Sequence, residues 1–424
     1  MIPTQVIDPV RRGLFPMIAS VLLSPGTGLA AEPFRKVLTS ASQNIHVESW
    51  EVTGKKITPK SPAAWSVRKV TLHGGKQEGV DLIIVNNGKL EFTVIPTRGM
   101  GVLKAQMGKV SLGWCAPVKE VVHPQWVDLQ SRGGLGWLDG FNEWLCRCGL
   151  ENNGGPGPDK FINNVGDEAT MDLTLHGKIA NRPAQEVEVI VDREPPFRIR
   201  VRGRVDEKMF YGPKLELETE ISTEPGANSF RIADVISNRG SQDQEFEILY
   251  HANYGAPLLE AGATFLAPTE RVTPMNERAA KALATYTQYL GPTAGFIEQV
   301  YCIRPLADSA GRTVVMLQNR AKDRATSLAF SIKELPFLTL WKNTAPEAEG
   351  YVTGIEPGTN FPNHRRIERK LGRVPRLAPG ASHRATIEFQ VLANSREVKQ
   401  VADEIASIQG GRTPVIDPGP EKKD

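Results

Sequence analysis

The sequence predicts an all-β protein, a large antiparallel β-sandwich with few and short helices. Three observations carry that expectation. Apolar and charged residues alternate with period two over many short segments. Turn residues separate the segments, with 39 glycines and 31 prolines among 424 residues. Helical stripes are scarce. Strands with one apolar and one charged face belong to antiparallel sheets packed on one side.

The first element is not a strand. Arg11-Arg12 precede an apolar run from Leu14 to Leu23, and the small residues Gly28, Ala30 and Ala31 follow. That order is the one of an export signal of twin-arginine type, over residues 1–31, which would place the protein in the periplasm. A mis-assigned start would leave it in the cytoplasm. No other stretch has the length of apolar sequence that a membrane span needs.

Residues 33–409 read as one sandwich domain. The runs Asp81 to Val85 and Leu90 to Ile95 flank Asn86-Asn87-Gly88, a hairpin signal. Val187, Val189 and Val191 continue the alternation, as do Leu215, Leu217, Thr219 and Ile221. So do Phe246, Ile248 and Tyr250, and later Ile387, Phe389 and Val391. Glu277 to Ala284 suits a short helix. Asn394, with Glu397 three residues on, caps a helical stripe of Val398, Val401, Ala402, Ile405 and Ile408. Residues 410–424 are polar and rich in proline, and read as a flexible tail. Trp126 to Lys160 breaks the pattern. Its glycines and aromatics, including Trp137, Phe141 and Trp144, suggest a long loop beside a site.

Hydrophobic residues make up 40% and charged residues 23%, an ordinary soluble composition. A net charge of +3 is too small to argue for a nucleic-acid or membrane-surface partner, and none is expected. Arg198, Arg200, Arg202 and Arg204 then read as the solvent face of one strand. Cys146-Arg147-Cys148 lacks the spacing of a zinc site, so Cys115, Cys146, Cys148 and Cys302 are expected as small buried thiols.

The richest stretch for chemistry runs from Thr353 to Asn363. Glu356 sits there beside Pro357, Gly358 and Pro362, in what reads as a sharply bent loop that also carries Asn360. A carboxylate so held can serve as a general base; the same composition suits a surface turn. Two histidines could supply the acid, His176 before Gly177 and His251 after the strand 246–250, with Asn253 beyond it. Arg98 could clamp a substrate or sit exposed in its loop. Trp341 and Lys342 close the run from Phe337 and could wall a pocket. No phosphate loop, nucleophile elbow or zinc-protease motif is present.

At these residues the chain resembles the aldose 1-epimerase (galactose mutarotase-like) superfamily, in its DUF4432 branch. The resemblance covers most of 66–392 and implies the supersandwich fold. It implies a catalytic-base role for Glu356, a general-acid role for His251 and a sugar-binding role for His176. Arg98 matches a substrate-binding arginine of the branch. The aspartate that grips sugar hydroxyls elsewhere has no clear counterpart, with Glu270 or Arg271 in its region. The expected activity is interconversion of the α and β anomers of a free sugar, without cofactor or metal. Non-catalytic sugar binding and a lyase-type reaction are the alternatives. The expected partner is a small sugar; neither its identity nor the oligomeric state is legible.

Overall fold

Two large sheets stack face to face. The computed structural model describes residues 31–422, so the expected export signal lies, but for its last residue, outside the described residues. Among the described residues ten strands form one sheet and thirteen the other. The ten-stranded sheet has Ser229–Asn238, Lys214–Thr223 and Ile199–Lys208 at its centre. The thirteen-stranded sheet runs from the edge pair Val415–Ile416 and Thr269–Pro274 through Gln299–Pro305, Phe337–Asn343, Val352–Gly358, Glu247–Tyr254 and Leu145–Leu150, and on to Trp50–Thr53. Its strands pair antiparallel except at that edge, where Val415–Ile416 runs parallel to Thr269–Pro274.

The inner faces make the core. Leu145, Tyr250, Ala252, Leu340 and Ile355 meet Val201, Leu217, Ile232 and Phe389 in one cluster. Because successive side chains point to opposite faces, the residues between them point outward. Cys146, Cys148, Leu249 and Trp341 accordingly join a second cluster with Trp137 and Phe141. That second, outer face of the thirteen-stranded sheet carries the site.

Several expectations change in the structure. The 353–363 stretch is not a loop throughout: Val352–Gly358 is a buried central strand. Glu356 is therefore aimed by a sheet rather than by a turn. The strand that ends at Tyr250 in the sequence reading continues to Tyr254, so His251 and Asn253 lie inside it. The 126–160 region contains a fully buried strand, Leu145–Leu150. Its alternation is masked because Arg147 faces the core, where its guanidinium is bonded to Asp234, Thr219 and two backbone carbonyls. Cys115 is exposed, not buried.

The tail is also ordered further than expected. Asp417 takes hydrogen bonds from Arg271 and Thr273, and Glu421 pairs with Arg373. These contacts fasten it along an edge strand.

The C-terminal helix forms as read, at Ser395–Gln409, with the Asn394 side chain accepting from the Glu397 amide. It lies on the outer face of the ten-stranded sheet, against Val314 and Met316. The strand arginines pair across that face, Arg202 with Glu220 and Arg204 with Glu186. Among the described residues no helix is long and apolar enough to cross a membrane.

Candidate active site

Strand register builds the site. Val352–Gly358 pairs with Glu247–Tyr254 so that Asn253 faces Gly354 and Leu249 faces Gly358. The same register puts His251 opposite Glu356. Cross-strand neighbours hold their side chains within contact, and here His251 Nε2 lies 3.3 Å from Glu356 Oε1. The distance is that of an ion pair, but the atoms are not aligned for a hydrogen bond, and Glu356 Oε1 has no hydrogen-bond partner. The carboxyl needs the room that Gly354 leaves: a Cβ there would sit 2.1 Å from Glu356 Oε1.

Each histidine is held by one ring nitrogen. Asn253 donates its amide to the backbone carbonyls of Glu143 and His251, so its own oxygen is left to accept. It accepts from His251 Nδ1–H at 2.7 Å. His176 Nδ1–H donates to the Asn153 carbonyl at 2.8 Å. A carbonyl only accepts, so Nδ1 carries the hydrogen in both rings, and in the neutral form of each Nε2 keeps its lone pair. His176 occupies a left-handed turn, φ 57°, followed by Gly177 at φ 69°. The two imidazole centroids are 5.3 Å apart.

Aromatic rings enclose the pair. Trp137, Phe141 and Trp341 stand 6.0, 5.4 and 5.5 Å from the His251 ring. Trp137 and Phe141 come from the glycine-rich 126–144 segment, and Trp341 from the neighbouring strand. Trp341 Nε1–H donates to Glu298, an exposed carboxylate. Glu356 and His251 are only 2% and 5% exposed.

Burial sets the protonation states. It pushes the Glu356 carboxyl well above its ordinary range, and the charge of Glu298 adds to the effect. It pushes His251 well below its ordinary value, with repulsion from His176 adding and the Asn253 bond opposing. It lowers His176 to about 4. Each group favours its neutral form, so one proton is left for the two facing atoms, Glu356 Oε1 and His251 Nε2, and burial favours it on the carboxyl.

Other sequence candidates take different places. Asn253 is a buried brace for His251 rather than a free contact. Asn360 is a second brace: its oxygen accepts from Asn153 and from Thr359, which steadies the segment that holds His176. Arg98 is not an open clamp. It is buried, bonded to Glu143 at 2.5 Å and to the Val122 carbonyl at 2.8 Å. It fixes the residue whose own carbonyl holds Asn253. Lys342 is not brought to the site, since alternation turns it to the other face. There its ammonium donates to the Thr285 and Gln288 carbonyls, over the Tyr289 ring. Glu270 and Arg271 lie on the edge strand Thr269–Pro274, beside a separate cavity of about 750 Å³.

Sequence reasoning assigned no specific role to Glu143, Glu298 and Asn153. Nothing local marks them, because two act through backbone carbonyls and Glu298 lies on an exposed loop. Among the described residues no cluster of His, Cys, Asp and Glu suits a metal ion.

The model of DUF4432, a domain of unknown function, matches residues 77–391. The chain belongs to this family. It is similar to a candidate aldose 1-epimerase from Klebsiella pneumoniae, with 41% identity and a TM-score of 0.87, covering 92% of this chain and 100% of that one. It also resembles a galactose mutarotase-like protein from Clostridium acetobutylicum, at 14% identity and a TM-score of 0.51, over 82% of this chain and 99% of the other. At that identity the likeness concerns the fold alone, which for this DUF4432 chain is the galactose mutarotase-like sandwich. No curated protein matches the chain.

Proposed function

We propose that this protein interconverts the anomers of a free aldose by general acid–base ring opening. The observation that carries the reading is the contact of Glu356 Oε1 and His251 Nε2, 3.3 Å apart on one sheet face. The hydroxyl oxygen and ring oxygen of an anomeric centre share one carbon. An acid and a base this close together reach both.

The single proton of the pair suits such a reaction. With the proton on His251 Nε2, Glu356 is a carboxylate. It removes the proton from the anomeric hydroxyl while His251 gives its proton to the ring oxygen. The bond from the anomeric carbon to the ring oxygen breaks, and a carbonyl forms. The pair is then neutral, the state that burial favours. Rotation about the first carbon–carbon bond exposes the other carbonyl face. The reverse transfers close the ring with inverted configuration. His176 presents its free Nε2 to the same space, as a contact for the ring oxygen or a neighbouring hydroxyl. Aromatic rings around the pair offer apolar faces to a sugar.

Polarimetry or saturation-transfer NMR on a freshly dissolved anomer tests this. Glu356→Gln is expected to lower kcat by about 10²–10⁴ with sugar binding retained. Equal exchange rates for Glu356→Gln and the parent would remove Glu356 from the mechanism. Tight sugar binding by the parent with no exchange would select a binding protein instead.

A further inference from the structure

The Trp137 indole stands apart from the other tryptophans near the site. Trp114 Nε1–H donates to the Glu143 carbonyl and Trp341 Nε1–H to Glu298. Trp137 is 1% exposed, and its Nε1 has no hydrogen-bond partner. A buried indole N–H usually finds an acceptor, because leaving it unpaired forfeits the hydrogen bond it had with water. Trp144 Nε1 is also buried without a partner bond, but that ring lies in the core against Phe230 and Phe389. The Trp137 ring lies against the catalytic candidates, 4.7 Å from His176 and 6.0 Å from His251.

Its position is built rather than incidental. Trp137 belongs to the turn Gly136–Gly140. A Cβ at residue 136 would fall 1.7 Å from the Asp128 carbonyl oxygen, and one at residue 140 would fall 2.4 Å from Arg98 Nη1. Glycine at both ends lets the turn press against its neighbours. Phe141 packs on the indole at 4.6 Å and fixes its plane.

We infer that the Trp137 indole N–H is a binding donor for one hydroxyl of the sugar, which makes Trp137 a specificity-determining residue. An orphan donor beside two imidazole rings and the unpartnered Glu356 Oε1 completes a set of groups that a polyhydroxylated ligand satisfies. Sugars lacking the matching hydroxyl leave the N–H unpaired and lose affinity.

This deepens the anomer-exchange reading and rests on it for the kinetic arm of the test. The full chain, labelled with ¹⁵N, is titrated with free aldoses and their monodeoxy analogues. The Trp137 indole resonance is identified by its loss in Trp137→Phe. It is expected to shift with an aldose that binds, and not to shift with one monodeoxy analogue of that aldose. Trp137→Phe is expected to raise KM about tenfold for the full sugar, with kcat and the KM of that analogue unchanged.

A resonance that stays fixed at saturating sugar overturns the inference. So does an equal loss in Trp137→Phe for every sugar together with a moved His176 titration, which would mean that the N–H serves the imidazole ring. A parent protein that binds aldoses without exchanging anomers defeats the anomer-exchange reading. The indole shift then still decides the role of Trp137.

Discussion

The same strands bury titratable groups on both faces, and the two faces treat them differently. On the inner face Arg147 meets Asp234 through two nitrogens, adds Thr219 and the carbonyls of Gly99 and Met100, and shares Asp234 with the Tyr250 hydroxyl. Its charge is matched and its donors are used. One residue along each strand, the outer face carries Cys146, His251 and Glu356. There Glu356 Oε1, Thr339 Oγ1 and Trp137 Nε1 all lack a hydrogen-bond partner, while the inner-face exceptions are the neighbouring Tyr254 hydroxyl and Trp144 Nε1. A satisfied buried network holds two sheets in register. An unsatisfied one stores recognition for something that arrives later.

Breaking the inner network gives the largest expected effect on folding. Arg147→Ala would leave Asp234 charged and buried, at a cost of about 3–5 kcal/mol. Chemical denaturation should show the loss, while anomer exchange per folded molecule stays near the parent value. A variant that is stable but inactive would erase the distinction between the faces.

A smaller effect is expected from Asn253→Asp. The carboxylate would still accept from His251 Nδ1–H but would add a negative charge beside the ring. His251 then titrates higher, and the acidic limb of the pH–rate profile moves to higher pH with it. A profile unchanged from the parent would show that Asn253 only fills space.

The mildest test concerns Glu247, an outer-face carboxyl pushed up to about 8 by burial. It accepts from the Asn153 amide through one oxygen, and the other has no hydrogen-bond partner. Because its folded value is raised, the folded state binds the extra proton. Its contribution to stability is full below about pH 4.5 and falls away as pH rises through 8. Glu247→Gln should flatten that decline in thermal melts between pH 5 and 8, by at most a few kcal/mol. An unchanged slope would mean that Glu247 does not control it.

Much of this was legible in the sequence, and for a physical reason. One-sided burial writes itself as alternation, so strands such as Leu215 to Ile221 could be read directly. Glu356, His251 and His176 stood out because chemistry-bearing side chains interrupted apolar or glycine-rich runs. Leu145–Leu150 was hidden because a buried ion pair makes an inward residue look outward. Lys342 misled for the same reason in reverse: its apolar stem and carbonyl cage bury a group that composition assigns to a pocket wall. Glu143 and Asn153 were out of reach, since what they offer to Asn253 and His176 is a main-chain oxygen, which every residue has.

The fastening of Val415–Ile416 along Thr269–Pro274 has a consequence for how copies of this chain behave together. A border strand offers unused amides and carbonyls to any passing chain. Here two residues of the same chain take that place, anchored by Asp417. Ending the polypeptide before Val415 would open an adhesive margin at the end of a thirteen-strand sheet, and self-association would follow from the loss of a two-residue seal.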